Sequence, residues 1–524
     1  MTQPRTAFDG NSPAQTERWV LVATILASSM AFIDSTALNV ALPAIQQSLN
    51  ATGSEVFWII SAYNLFLASL ILTGGSLGDI LGLKRIFTGG LLAFTLASVA
   101  CALAPNATVL IIARAAQGAG GALMVPSSLA LLSAAFPHER RGIAIGTWST
   151  FTTVTSVLGP VIGGWLASAG LWRGVFLINV PLAVVAVAVL SQVSYRDRRN
   201  PGGLDIPGAL LATLGLGGIT YGFIQGPETG FDSPVILGAL GLGFVALVAF
   251  LIVEARSPHP MVSLQLFRSR TFSGANALTF FLYGALAVYS LFVSLNLVQA
   301  QGYLESEAGL ALLPFSIMLI LLSRWAGGLA SRIGPRPLLT AGPALTGVGF
   351  FLLALVGITS GPNDYWTTVF PGLLLTGIGM GLTVAPLTTA VMTAVPVNST
   401  GSASGINNAV ARTAGVLAIS VLGALAIVVF TDTLAAATSG IEMSAESRQA
   451  LLVEQAPKLG AATAPPGVSE TAHNEITVAV RIAFIETYRL VMLICAGLAW
   501  LSALLGFALV EPRHRLLPEP VATG

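Results

Sequence analysis

The amino-acid sequence predicts an all-α integral membrane protein with about fourteen transmembrane helices, and three observations lead there. Only 9% of the 524 residues are charged, while 54% are hydrophobic. An ordinary soluble domain carries roughly 25% charged residues, so this chain has too few to cover a water-facing surface. The apolar residues also arrive in long blocks, and a block of about 20 residues spans a bilayer. Lys and Arg gather in alternate breaks between these blocks, the asymmetry that orients membrane helices.

The blocks run at 18–48, 55–77, 86–104, 107–135, 142–168, 173–193, 205–225, 233–255, 272–300, 306–330, 337–358, 365–394, 405–430 and 483–510. Most connections are short. The exception is a polar insert at 431–482 containing Glu442, Glu446, Glu454, Glu470 and Glu475, within which Ser444 to Gln455 reads as a short surface helix. One set of alternate breaks holds Lys84 and Arg85; Arg140 and Arg141; Arg196, Arg198 and Arg199; Arg256, Arg268 and Arg270; Arg332 and Arg336. Arg5 precedes the first block and Arg18 opens it, and Arg513 and Arg515 follow the last. The intervening breaks hold Glu55, Glu228, Asp232, Glu305, Glu307 and Asp364. This pattern puts both termini in the cytoplasm, the insert on the far side, and the protein in the inner or plasma membrane. The polar segment 1–17, with Asp9 and Glu17, is expected to be a cytoplasmic leader into the first span rather than a signal peptide.

Net charge is +1, which offers no basic face for nucleic acid. Cys101 and Cys495 sit in apolar blocks and read as buried free thiols. The four histidines, His138, His259, His473 and His514, form no metal-ligand spacing. No catalytic residue, metal site or cofactor motif is expected, so the chain does not read as an enzyme.

Charged groups deep in a membrane are costly and mark cavities or partners. Asp34 lies midway along the first block, with Asn39 a little over one turn beyond. A carboxylate there can take up a proton or meet a cationic solute, or it can be a structural acid paired with an arginine. Arg114 has Gln117, Gly118 and Gly121 on its own helix face. Its permanent charge can set when a neighbouring acid binds a proton, or it can hold two helices together. Arg412, with Asn408 one turn earlier, is a weaker candidate of the same kind. Arg324 is near enough to a block end to snorkel, and Glu486 with Arg489 falls in the first turns of the last block.

Small residues suggest close helix contacts. The fifth block carries Gly146, then Gly159, Pro160, Gly163 and Gly164, which make either a bent hinge or a packing seam. Between the second and third blocks, Gly75, Gly78 and Gly82 permit a tight turn, and Asp79 and Lys84 can latch helix ends. The stretch Gly327 to Arg336 repeats this loop more weakly, with Ser331 in place of the acid. Two copies of one loop suggest two homologous halves.

Taken together, these stretches resemble the major facilitator superfamily, and within it the drug:proton antiporters of fourteen spans. The resemblance covers essentially the whole chain. Asp34 to Pro43 looks like the group's first-span motif, and Gly75 to Arg85 like the superfamily loop, with Ile80 and Leu83 where basic residues are usual. Arg114 with Gln117 and Gly118 is similar to the fourth-span motif tied to proton coupling. Gly146 and Gly159 to Gly164 are similar to the antiporter signature, with Thr155 where a glycine is usual. Leu171, Trp172 and Arg173 with Phe176, Asn179 and Pro181 add to the likeness.

The resemblance implies two six-helix bundles, at 18–195 and 271–512, with two additional helices within 196–270 and a cytoplasmic tail at 513–524. It further implies a monomer that exports hydrophobic or cationic compounds against protons by alternating access, and so confers antibiotic resistance. Lipid, protons and small-molecule substrates would be its partners. Trp58, Tyr63, Asn276, Phe280, Phe281, Tyr283, Tyr289, Phe292 and Asn296 are candidates to line a cavity. Asp34 is the one carboxylate clearly mid-span, which favours neutral or monovalent substrates over divalent cations. Export of one endogenous metabolite, lipid or antibiotic is the alternative, ahead of a channel or a membrane-embedded enzyme.

Overall fold

A computed structural model describes residues 13–193, 203–396 and 399–512. Arg5, Arg196, Arg198, Arg199, Arg513, His514 and Arg515 lie outside the described residues. Fourteen helices among those described are long and apolar enough to cross a membrane. They are α1 Gln15–Leu49, α2 Gly53–Leu81, α3 Leu83–Ala102, α4 Ala107–Ala135, α5 Arg140–Ser168, α6 Gly174–Ser191, α7 Ile206–Thr229, α8 Pro234–Arg256, α9 Arg270–Ala300, α10 Glu305–Ile333, α11 Arg336–Ala354, α12 Gly361–Thr393, α13 Thr400–Ala437 and α14 Glu470–Leu509.

Helix starts are marked by side chains that satisfy otherwise orphaned backbone N–H groups. Asn106 Oδ1 accepts from Val109 N at 2.9 Å before α4, and Ser469 Oγ accepts from Ala472 N at 3.2 Å before α14. Thr52 and Glu55 form a reciprocal capping box at the start of α2: Glu55 Oε2 accepts from Thr52 N at 2.9 Å, and Thr52 Oγ1 from Glu55 N at 3.2 Å. Inside the spans, hydroxyls turn back on their own helix. Thr376 and Thr383 both donate to the carbonyl one turn earlier at 2.8 Å, which leaves no exposed polar hydrogen in an apolar setting.

The chain divides into two compact units: Met1–Ala51, Trp58–Gly217 and Leu242–Met261 form one, and Thr52–Phe57, Gly218–Gly241 and Val262–Gly524 the other. In the first, α1 packs on α4, α5 and α6, and α3 on α4 and α6. In the second, α9 packs on α12, α13 and α14, and α11 on α12 and α14. One pairing scheme thus recurs in both units, as the loop repeat suggested. The two loop copies also share their turning residue. Gly82 separates α2 from α3 at φ +111, and Gly334 ends α10 at φ +87, a region open to glycine and strained for other residues.

Close helix approach comes from glycine. A Cβ at Gly159 would strike Thr36 Oγ1, and one at Gly163 the carbonyl of Ala37, so α5 lies directly against α1. Gly164 is also buried. The stripe of Gly159 and Gly163 does not extend back to Gly146, where a Cβ would meet nothing within 4 Å. In the second unit, a Cβ at Gly342 would lie 2.8 Å from Gly379 O and one at Gly349 2.8 Å from Gly372 O, so α11 and α12 meet through paired glycines.

The 431–482 insert is smaller than its polarity suggested. Helix α13 continues to Ala437, and α14 begins at Glu470 rather than near 483. Both helices run past the apolar block because capping and propensity, not hydropathy, end a helix beyond the membrane. Glu486 and Arg489 therefore lie about four turns into α14 rather than in its first turns. They pair with each other at 2.8 Å. Between the helices, Ala445–Ala450 forms the expected short helix, capped by Ser444. It continues through Leu451–Gln455 and Ala456–Ala461, burying Leu451 and Leu459. Arg448 closes the segment by donating to the carbonyls of Thr438 and Ile441, each at 3.0 Å.

Candidate functional site

The first unit encloses a polar network on otherwise apolar helices. Asp34, on α1, is completely buried. Its Oδ2 accepts from Arg114 Nη1 at 2.5 Å, and its Oδ1 from Gln117 Nε2 at 2.8 Å. Gln117 Oε1 accepts from the same Arg114 nitrogen at 2.6 Å, closing a three-membered ring of hydrogen bonds across α1 and α4. Arg114 Nε donates to Ile59 O on α2 at 3.2 Å. Gln117 Nε2 also donates to Ser98 Oγ on α3 at 2.8 Å, and Asn179 Nδ2 of α6 reaches the same hydroxyl at 3.1 Å. Five helices thus meet on one ion pair.

The local chain explains the arrangement. Arg114 and Gln117 are three apart on α4 and share a face. Gly118 continues that face, where a Cβ would strike the backbone carbonyl of Tyr63, so α2 can lie against α4. The guanidinium carbon then sits 4.3 Å from the centre of the Tyr63 ring, and 5.9 Å from that of Phe176. Two aromatic faces, a carboxylate, an amide and a backbone carbonyl surround one cation that cannot lose its proton. A buried charge left alone would be very costly, and this one is fully compensated.

Of the residues singled out in the sequence, Asp34 and Arg114 come together, and the arginine partner allowed for Asp34 is Arg114. Tyr63 is buried against Arg114 instead of facing an open cavity. Asn39 and Trp58 are half-buried on α1 and α2. In the loop, Lys84 Nζ donates to Val193 O at 2.6 Å, just beyond α6, while Asp79 is exposed. Ser98 carried no signal, being one serine in an apolar block. Asn179, named above for the family likeness alone, joins the network as an amide inside such a block.

The second unit has its own polar contacts. Asn407 Nδ2 donates to Asn276 Oδ1 at 3.1 Å and to Thr279 Oγ1 at 2.8 Å, linking α13 to α9. The expected Asn408 is one residue off. It is exposed and donates to Ser404 O of its own helix at 3.0 Å. Period and spacing cannot choose between adjacent asparagines, because only the packed helix defines its inner face. Arg412 interacts electrostatically with the half-buried Tyr283 on α9. Arg324 is exposed. Tyr289 and Asn296 are buried on α9. Cys101 and Cys495 are buried free thiols. Among the described residues, no group of three or more His, Cys, Asp or Glu could hold a metal ion.

Fourteen membrane-length helices, a repeated pairing scheme and a sealed ion pair define a polytopic helical membrane protein of the transporter class. The chain belongs to the Major Facilitator Superfamily, whose family model matches residues 24–419. Among its relatives, it is 35% identical over 417 residues to the multidrug resistance protein Stp of Mycobacterium tuberculosis, covering 78% of this chain and 76% of that one. It is 30% identical over 518 residues to the tetracenomycin C resistance and export protein of Streptomyces glaucescens, covering 96% of this chain and 94% of that one. Its fold matches the crystal structure of a bacterial homologue of the human lysosomal transporter Spinster. The TM-score is 0.66 at 18% identity, over 98% of this chain and all of that one.

Proposed function

We propose that this protein exports lipophilic small molecules, antibiotics among them, in exchange for protons, with Asp34 as the proton acceptor and Arg114 as the group that governs it. The observation that carries this reading is the ring of Asp34, Arg114 and Gln117. Each carboxylate oxygen accepts a hydrogen bond, one from Arg114 and one from Gln117, so a proton taken up by Asp34 competes with those donors. Protonation then removes the charge that held Arg114, which frees α1 and α4 to repack. Proton uptake and helix rearrangement become one event, which an exchanger needs. The names of the relatives, a multidrug resistance protein and an antibiotic resistance and export protein, support the direction and the class of cargo.

The reading places a monomer in the cell membrane with both termini in the cytoplasm, which the distribution of Lys and Arg supports. A second reading is export of one antibiotic. The near full-length match to a tetracenomycin C export protein favours it.

The test is efflux from cells or proteoliposomes under an imposed pH gradient, with a panel of lipophilic antibiotics and dyes. The wild type is expected to export under the gradient, and Asp34→Asn to lose gradient-driven export while remaining in the membrane. Asp34→Asn exporting at the wild-type rate, with the same dependence on the gradient, would overturn the proton role. A wild type that moves nothing on the panel would overturn export.

A further inference from the structure

Among the buried polar atoms of the second unit that have no hydrogen-bond partner are the hydroxyl of Tyr289 and Nδ2 of Asn296. The residues are 2% and 3% exposed. Buried polar groups are almost always satisfied, so such exceptions require an explanation, of which a bound solute is one. Both residues lie on α9, seven apart. That spacing puts them on one helix face, two turns and about 10 Å apart. A π-turn, Asn296–Ala300, begins at the second of them. Such turns re-aim side chains and are frequent at functional sites.

The surroundings define the chemistry. The Tyr289 ring is flanked by Phe350 of α11 at 4.9 Å between centroids and by Phe315 of α10 at 6.0 Å. Tyr365 is near, with its hydroxyl already donating to Ala311 O at 2.8 Å. The flanking phenylalanine rings are thus flat and apolar, Tyr488 of α14 also interacts with Tyr289, and both orphan groups can donate a hydrogen bond. An amide nitrogen can only donate, so it needs an oxygen acceptor. A cation offers that nitrogen no acceptor. On α14, Glu486 is paired with Arg489.

We propose that Tyr289 and Asn296 form a subsite for an uncharged, flat aromatic solute with carbonyl oxygens, such as a quinone or an aromatic ketone. Tyr289 donates to one carbonyl and Asn296 to another, while Phe315 and Phe350 pack on the ring. The proposal rests on the export reading above and names the class of cargo as neutral carbonyl-bearing aromatics rather than permanent cations.

The test is equilibrium binding to the purified full-length protein in lipid nanodiscs, with 2-(hydroxymethyl)anthraquinone as the neutral probe and tetraphenylphosphonium as the cationic one. The wild type is expected to bind the quinone more tightly than the cation. Tyr289→Phe and Asn296→Leu should each weaken the quinone about tenfold, the effect of one hydrogen bond in a buried site. Neither should change tetraphenylphosphonium. Tyr289→Phe retains the ring packing and removes an unpaired hydroxyl, so its ligand-free melting temperature should equal or exceed that of the wild type. That readout separates a binding role from a structural one. The proposal is overturned by three results: no quinone binding to the wild type, quinone affinity unchanged in both variants, or tetraphenylphosphonium bound at least as tightly as the quinone. Binding is read without flux. Failed efflux beside intact quinone binding would therefore count against export and leave the subsite standing.

Discussion

Replacing Asp34 by asparagine exchanges one carboxylate oxygen for an NH2 group at nearly constant shape. In the native protein the two oxygens accept from different donors, Arg114 and Gln117. The asparagine oxygen can face one of them, and its nitrogen must then oppose the other donor to donor. Breaking a buried ion pair by removing one partner costs about 3–5 kcal/mol. Arg114 keeps its bonds to Ile59 O and Gln117 Oε1 and the face of Tyr63, and it gains the amide oxygen. A net loss of about 2–4 kcal/mol follows, or roughly 30- to 1,000-fold in the unfolding equilibrium. Adding Arg114→Met removes the stranded cation and supplies an apolar side chain, so the double variant should regain at least half of that loss. The assay is denaturant unfolding of purified wild type, both single variants and the double variant in one detergent at one pH. Two results would refute the reasoning. One is Asp34→Asn falling within about 0.5 kcal/mol of wild type; the other is two additive single effects, with a coupling below about 0.5 kcal/mol. The double variant also separates stability from function: it is expected to fold better than Asp34→Asn and still not export under a pH gradient.

Two further outcomes follow from local geometry. Gly82→Ala forces a Cβ into a backbone at φ +111, so it should cost about 1–3 kcal/mol, visible as a lower melting temperature, while the same change at exposed Gly146 should be nearly silent. Asn407→Leu removes the donor to Asn276 and Thr279 between α13 and α9 and should destabilise by about 1–3 kcal/mol, whereas Asn408→Leu should stay within about 0.5 kcal/mol; equal effects from the two would contradict the assigned inner face.

Much of the fold was legible from hydropathy. The fourteen apolar blocks coincide with fourteen membrane-length helices, because a bilayer imposes a length and a polarity that no single residue can evade. The repeat was legible too, through the loop around Gly82 and its copy around Gly334, whose turns need the same backbone freedom. Helix ends were less legible. The chain from 431 to 437 and from 470 to 482 is polar enough to look like a loop, yet it continues α13 and α14, since beyond the membrane hydropathy no longer limits a helix.

The sequence by itself determined which residues were out of place, and so it reached Asp34 and Arg114: an ionisable group in an apolar block is conspicuous whatever surrounds it. It also paired Gln117 with Arg114, because residues three apart on a helix share a face. Only the tertiary structure decided that Asp34, eighty residues earlier, is their common partner. It likewise brought in Ser98 and Asn179, turned Tyr63 under the guanidinium, and chose Asn407 over Asn408. The physical reason is that burial and helical period act within one segment. A hydrogen bond between helices depends on their relative rotation and on how closely they approach. Those are set by packing at Gly118, Gly159 and Gly163, where the absence of a side chain in one helix acquires meaning only against the backbone of another.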